Sequence, residues 1–293
     1  MPGEFEFISW IRQQQAASKL LQVPAGDDFA VLNWPAGDLL LVGVDQVLDG
    51  VHVDSAHHAP ERIGRKVMNR NLSDCAAMAC LPVAAVATVA LPRAISLDYA
   101  QRLYRGMADA AAAFGCIIAG GDTGSWDGKL AMTVTLLGRC DGIQPVTRAG
   151  AKPGDGIYVT GPLGGSILGR HLDFTPRIRE GRLLGPIATA MIDLSDGLSR
   201  DLRHICDASG VGAIIEGDRV PIHDDARRLS QQDQVDPLTH ALDDGEDYEL
   251  LFTASAPPPI GTRIGTVTAD REIRLKTPSG TQPLAAGAWE HHF

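Results

Sequence analysis

Met191-Ile192-Asp193-Leu194-Ser195-Asp196-Gly197 is an apolar strand running into a turn that carries two carboxylates. Leu198, Leu202 and Ile205 then recur at helical spacing until Ser209-Gly210 ends the helix. The same pattern stands earlier, where the apolar run Leu39 to Val44, bounded by Gly37 and Asp38, reads as a buried strand ending in Asp45. A helix from about Glu61 to Ala79 follows, with Asn71 and Asp74 on one face. Val83 to Leu91 is the next strand, and Ser96 caps a helix whose stripe is Leu103, Met107, Ala110 and Phe114, stopped by Gly115. A short helix at the start of the chain puts Phe7, Ile8 and Ile11 on one docking face.

Cys116 to Ala119 reads as a short strand emptying into the turn Gly120-Gly121-Asp122-Thr123-Gly124, and Leu130 to Leu137 is another strand. The Gly-, Pro- and charge-rich segment Asp141 to Asp155 is the best linker. Beyond it come a strand from Ile157 to Thr160, a Gly-rich turn from Gly161 to Gly165, and the acidic run Asp243-Asp244-Gly245-Glu246-Asp247 before a strand from Tyr248 to Thr253. Strands and helices alternate in both halves, which predicts an α/β or α+β protein of two similar lobes, residues 1–140 and 141–293.

The 293 residues are 44% hydrophobic and 21% charged, enough apolar content for two cores and too little Gly–Pro periodicity for a fibrous or low-complexity chain. Lys and Arg number 26 against 36 Asp and Glu, a net charge of −10 that disfavours nucleic acid as a partner. Cys75, Cys80, Cys116, Cys140 and Cys206 form no C-x-x-C pair and leave an odd count, which suits a reducing compartment. With no secretory pattern in MPGEFEFISW, the expected location is the cytoplasm. The uncharged stretch Cys75 to Pro92 is Ala-rich and broken by Pro82, so it predicts a helix end, a turn and a strand rather than a membrane span.

Acids recur where strands or Gly-rich turns end: Asp27 and Asp28, Asp45, Asp122, and Asp193 with Asp196. Singly, each is best read as a turn or capping residue. As a set, with few basic residues beside them, they call for divalent cations, and magnesium binds through such carboxylates together with nucleotide phosphates. The Gly161 to Gly165 turn offers backbone N–H groups that could approach a phosphate. Arg148 and Lys152 place cations near the lobe boundary, either to fork onto phosphate or as an ordinary surface pair. No P-loop, protein-kinase or G-x-S-x-G signature is present, Cys75 sits in an apolar helix, and most of the nine His read as solvent-facing. His52, in a turn after an acid-bearing strand, is the exception.

In order along the chain, Gly26-Asp27-Asp28, Val44-Asp45 through His52, Asn71-Leu72-Ser73-Asp74, Gly120-Gly121-Asp122-Thr123, Arg148 through Asp155, Pro176-Arg177, Ile192 through Leu198 and Gly245-Glu246-Asp247-Tyr248-Glu249-Leu250 resemble the thiamine-monophosphate kinase family. That family belongs to the superfamily of aminoimidazole ribonucleotide synthetase. The resemblance implies two lobes, each a mixed sheet covered by helices, with the N-terminal lobes of two subunits forming a barrel across a homodimer. It implies a transferase of thiamine biosynthesis that moves the γ-phosphoryl group of ATP to thiamine monophosphate with magnesium. Carried over residue by residue, Asp28, Asp45, Asp74, Asp193 and Asp196 resemble metal ligands. Gly121, Asp122, Arg148 and Ser195 resemble nucleotide contacts, with Arg148 and Asp196 the residues closest to catalysis. His52, Glu246 and Trp289 resemble acceptor contacts.

Departures from the family pattern gather at Gly43 to Gln46, Gly124 to Trp126, Asp173 to Phe174 and Asp244, where an extra acid beside Glu246 is expected to add negative charge near the acceptor. They sustain a second expectation, a superfamily member that binds ATP but has a changed acceptor or no transfer activity.

Overall fold

The computed structural model describes residues 4–15, 18–23, 31–93 and 95–285. Asp28 and Trp289 lie outside the described residues. The chain divides into two compact units, residues 1–75 with 81–142 and residues 76–80 with 143–293.

In the first unit, α1 (Glu4–Gln14) and the short strands β1 (Leu21–Val23) and β2 (Val31–Leu32) precede β3 (Leu40–Leu48), α2 (Pro60–Ala77, whose last residues belong to the other unit), β4 (Leu81–Pro92), α3 (Leu97–Ala113), β5 (Ile117–Trp126) and β6 (Ala131–Arg139). The sheet runs β3-β6-β4-β5, with β4 and β5 parallel and the other pairs antiparallel. Ser96 caps α3 as its sequence predicts, its hydroxyl accepting the Tyr99 N–H at 3.2 Å. Helices α2 and α3 cross through glycine: a Cβ at Gly64 would overlap the Leu103 carbonyl, and one at Gly106 would overlap that of Glu61.

Two features of this sheet differ from the sequence expectation. β5 does not end at Ala119 but carries Gly120 to Trp126 along β4, pairing Gly121 with Ala87 and Asp122 with Thr88. Glycine depresses intrinsic strand preference, yet here it permits the approach, because a Cβ on Gly121 would overlap the Ala87 carbonyl. Nor is the run around Val44 a buried strand. β3 is an edge strand whose outward Val42 and Val44 are each 63% exposed, alongside Val86 of β4.

The second unit contains β7 (Gly156–Val159), α4 (Arg170–Asp173), α5 (Ile178–Leu184), β8 (Ala190–Asp193), α6 (Leu198–Ser209), β9 (Gly212–Glu216), α7 (Asp224–Asp233), α8 (Pro237–Asp243), β10 (Leu250–Ala254), β11 (Thr262–Thr268), β12 (Ile273–Thr277) and β13 (Gly280–Pro283). Its mixed sheet runs β13-β12-β9-β11-β7-β10-β8, with only β12 and β9 parallel. Leu198, Leu202 and Ile205 of α6, with Ala241 and Leu242 of α8, pack on Ile157, Val159, Ile192 and Leu251 of the sheet to form one closed core. Successive side chains of a pleated strand point to opposite faces of the sheet, and β7, β8 and β10 are buried on both. Gly210, at φ +70°, ends α6 where the sequence places its stop.

Candidate functional site

Strand β8 delivers Asp193, which is buried, and the chain turns through Leu194 to Gly197 into α6. Asp196 keeps a partly exposed carboxylate. Its backbone N–H donates 3.1 Å to Asp201 Oδ2, so the first turns of the helix hold the loop that carries it. Burial, followed by the charges of Asp193 and Asp196, pushes the Asp201 carboxyl up to about 8. One ligand-type atom from each of Asp196, Asp201 and His204 lies within 4.8 Å of the others. Asp201 and His204 were not singled out from sequence; their i+5 and i+8 spacing from Asp196, across the start of a helix, was the available signal.

Arg148 is exposed, and its segment is fixed at two points. Ser209 Oγ donates to the Arg148 carbonyl at 3.2 Å, and Met191 N–H donates to the Thr147 carbonyl at 3.0 Å. Burial and then the Arg148 charge lower the His204 pKa, and the same charge opposes the rise at Asp201 without cancelling it.

The loop from Gly245 to Tyr248 lies against the same turn. Glu246 N–H donates to Ser195 O at 2.7 Å, and Tyr248 N–H donates to Leu194 O at 2.8 Å. Glu246 and Tyr248 both adopt left-handed backbone, at φ +52° and +53°, which non-glycine residues rarely hold unless their surroundings fix it. Asp247 between them supplies that fixation. Fully buried, it accepts the Gly164 N–H on both carboxylate oxygens at 3.0 Å and the Arg170 guanidinium at 2.8 Å.

These contacts correct two expectations. The backbone N–H groups of Gly164 and Gly165 are not a phosphate cradle, because Asp247 and Asp244 already accept from them. The extra acid Asp244 adds no loose charge beside Glu246 either: it accepts from Gly165 N–H at 2.8 Å and pairs with His240 Nδ1 at 2.9 Å. His240 and His171 are buried, two exceptions to the expectation that most histidines face solvent. Phe174, another departure, stacks on Tyr248 with ring centroids 3.8 Å apart.

In the first unit, the Asp45 carboxylate is held by Arg70 Nε at 2.6 Å, and Asp74 is exposed one turn further along α2. His52 Nδ1 accepts the Leu48 N–H at 3.1 Å, which fixes the ring with its proton on Nε2. The buried Lys66 ammonium donates to the His52 carbonyl at 2.7 Å. A cavity of about 260 Å³ opens beside Gly121 and Asp122, walled by Phe7 and Ile11 of α1 and by Leu103, Tyr104 and Met107 of α3. Sequence periodicity marked most of these wall residues as an inward stripe, but not that the stripe leaves a hollow.

Residues 26–140 match the family model for AIR synthase related protein, N-terminal domain. A thiamine-monophosphate kinase of Rhodopirellula baltica is 40% identical over 258 residues, covering 85% of this chain and 81% of that protein. The chain belongs to the thiamine-monophosphate kinase family. Among solved members, the thiamine-monophosphate kinase from Stenotrophomonas maltophilia is 30% identical with a TM-score of 0.80, covering 93% of this chain and 96% of its own. AaThiL complexed with AMPPCP and TMP is 29% identical with a TM-score of 0.81, covering 99% of this chain and 97% of its own. The family's two mixed sheets covered by helices are those described above.

Proposed function

We propose that this chain transfers the γ-phosphoryl group of ATP to thiamine monophosphate, giving thiamine diphosphate and ADP. The observation that carries this is the likeness, over nearly the whole chain, to a protein that holds AMPPCP, an ATP analogue, together with TMP. An acceptor oxygen attacks the γ-phosphorus in line and the ADP oxygen leaves, so one P–O bond forms as another breaks. A phosphate monoester with a second pKa of about 6 is already mostly dianionic at neutral pH, so no protein base is required. What the residues must do is neutralise and align two anions.

The donor set fits magnesium. Asp193 and Asp196 stand close enough to Asp201 for their charges to add to the rise in its pKa that burial chiefly causes, and a hard cation would offset the repulsion among these oxygens. Asp193 and Asp196 in the second unit, and Asp45 and Asp74 in the first, are the proposed ligands, with Asp28 beyond the described residues. Magnesium held by these carboxylates would supply positive charge to offset that of the phosphates. Arg148 supplies a further positive charge to the nucleotide, and Ser195 and Asp122 contact it. The apolar cavity beside Gly121 takes the planar base. His52 presents its Nε2–H as a donor to the acceptor, while Glu246 and, beyond the described residues, Trp289 face its cationic thiazolium.

The chain acts as a homodimer in which a second copy covers the outward face of Val42, Val44 and Val86, an apolar strip that is a liability if left in water. No described helix is long and apolar enough to cross a membrane, and the proposed setting is the cytoplasm without nucleic acid.

The decisive assay is ADP release with magnesium and ATP, in the presence and absence of thiamine monophosphate. Release that depends on thiamine monophosphate and yields thiamine diphosphate is the expected outcome. Release that ignores the acceptor, or none at saturating substrates, would overturn the proposal.

A further inference from the structure

The Glu246 carboxylate is gripped at both oxygens. Tyr248 Oη donates to Oε1 at 3.3 Å, and His171 Nδ1 lies 3.2 Å from Oε2. An ionised carboxylate only accepts, so the His171 contact is favourable with the proton on Nδ1. Both gripping groups are rigid. His171 is buried on α4, and the buried Tyr248 ring is stacked on Phe174 at an interplanar angle of 14°. Glu246 itself remains partly open to solvent, with 24% of its side chain exposed. The main chain on either side is locked to Ser195 and Leu194. A lone glutamate on a loop would sample several rotamers and lose that freedom on meeting a ligand; one held at both oxygens has already lost it.

We infer that His171 and Tyr248, backed by Phe174, are positioning residues that orient Glu246 toward the cationic ring of the acceptor. This rests on the proposal that Glu246 contacts thiamine monophosphate. Strained backbone at Glu246 and Tyr248 aims the side chain, and the two contacts fix its terminal oxygens. Phe174, where the family pattern has another residue, then has a definite role: it sets the plane of the Tyr248 ring and through it the reach of the hydroxyl.

The test uses the full chain, with thiamine monophosphate and magnesium–AMPPCP titrated calorimetrically into Glu246→Gln, Tyr248→Phe, His171→Leu and His171→Asn. Tyr248→Phe keeps the stack and removes only the hydroxyl. His171→Asn returns an amide N–H near the position of Nδ1. Tyr248→Phe and His171→Leu are each expected to weaken thiamine monophosphate binding about tenfold. AMPPCP affinity and kcat at saturating substrates should stay near parental values, and His171→Asn should recover most of the loss. If Glu246→Gln weakens acceptor binding while Tyr248→Phe and His171→Leu do not, the positioning inference fails and the contact stands. If Glu246→Gln itself binds the acceptor like the parent, the contact fails. Equal loss of both ligands in Tyr248→Phe, with a lowered thermal midpoint, would reduce the arrangement to a structural one and overturn the inference.

Discussion

The two units solve the problem of burial in opposite ways. The first packs two helices against one another through Gly64 and Gly106, buries no carboxylate among its described residues, and leaves Val42, Val44 and Val86 on an uncovered sheet face. The second packs its sheet and helices around one buried apolar core and buries Asp155, Asp193, Asp201, Asp225, Asp247 and Glu249 as well. A buried carboxylate is costly unless donors surround it. Asp155 accepts from Lys152 N–H and Thr189 Oγ1, and Glu249 is gripped by Arg177 and Thr160. Asp201 has a single backbone donor and two carboxylate neighbours, and its carboxyl is pushed up to about 8, by burial first and then by those neighbours. The second unit therefore tolerates buried charge where the proposed chemistry needs it. The first unit's unmet requirement is apolar, and in the proposed homodimer another copy of the chain would meet it.

The largest effect that would sharpen this contrast is at Asp196. Asp196→Asn keeps the side-chain shape but removes a proposed ligand charge. Turnover of thiamine monophosphate should fall by about 10²-fold or more, while the thermal midpoint and dimer mass stay parental. Normal turnover of this variant at limiting magnesium would show that the acid cluster of the second unit does not serve the reaction.

How much of this was legible beforehand depends on whether the cause was local. Ser96 and Gly210 announce their helix ends because a cap is a property of a few consecutive residues. The alternation of strands and helices, and the acids at Asp45 and Asp193, follow from short apolar runs. Gly120 to Gly124 misled because a parallel partner, β4, imposes extended structure on residues with little preference for it. The run ending at Val44 misled for another reason: an apolar face reads the same in sequence whether its cover comes from its own chain or elsewhere. Asp244 and Asp247 were legible as acids but not as braces, since their Gly165 and Gly164 partners lie 79 and 83 residues away.

The next effect tests the first unit. Val42→Glu combined with Val44→Glu places two charges on the outward face of β3, away from the side of the sheet that bears Asp45. Light scattering at micromolar concentration should give a dimer for the parent and a monomer for the variant, because desolvating charges at a subunit interface costs far more than leaving them in water. A parent chain that is already monomeric would remove the reason offered for those exposed valines.

The smallest effect concerns Asp247, the brace of the Glu246 loop. Burial, outweighing Arg170 and the Gly164 N–H, pushes its carboxyl up to about 7 from the ordinary 3.8. Between those values the folded protein keeps a proton that the unfolded chain releases. Stability therefore falls as pH rises from about 4 to about 7 and levels off above that. Asp247→Asn removes the titration while keeping one acceptor oxygen for Gly164. The variant should be less stable than the parent at every pH, through loss of the Arg170 pairing, but the drop in its thermal midpoint between about pH 5 and about pH 9 should be smaller by a few degrees. An unchanged slope would mean that Asp247 is ionised throughout this range, with Arg170 and Gly164 fully compensating its burial. The second unit would then carry its buried acids as permanent charges, and the contrast with the first would be one of paired charge rather than of held protons.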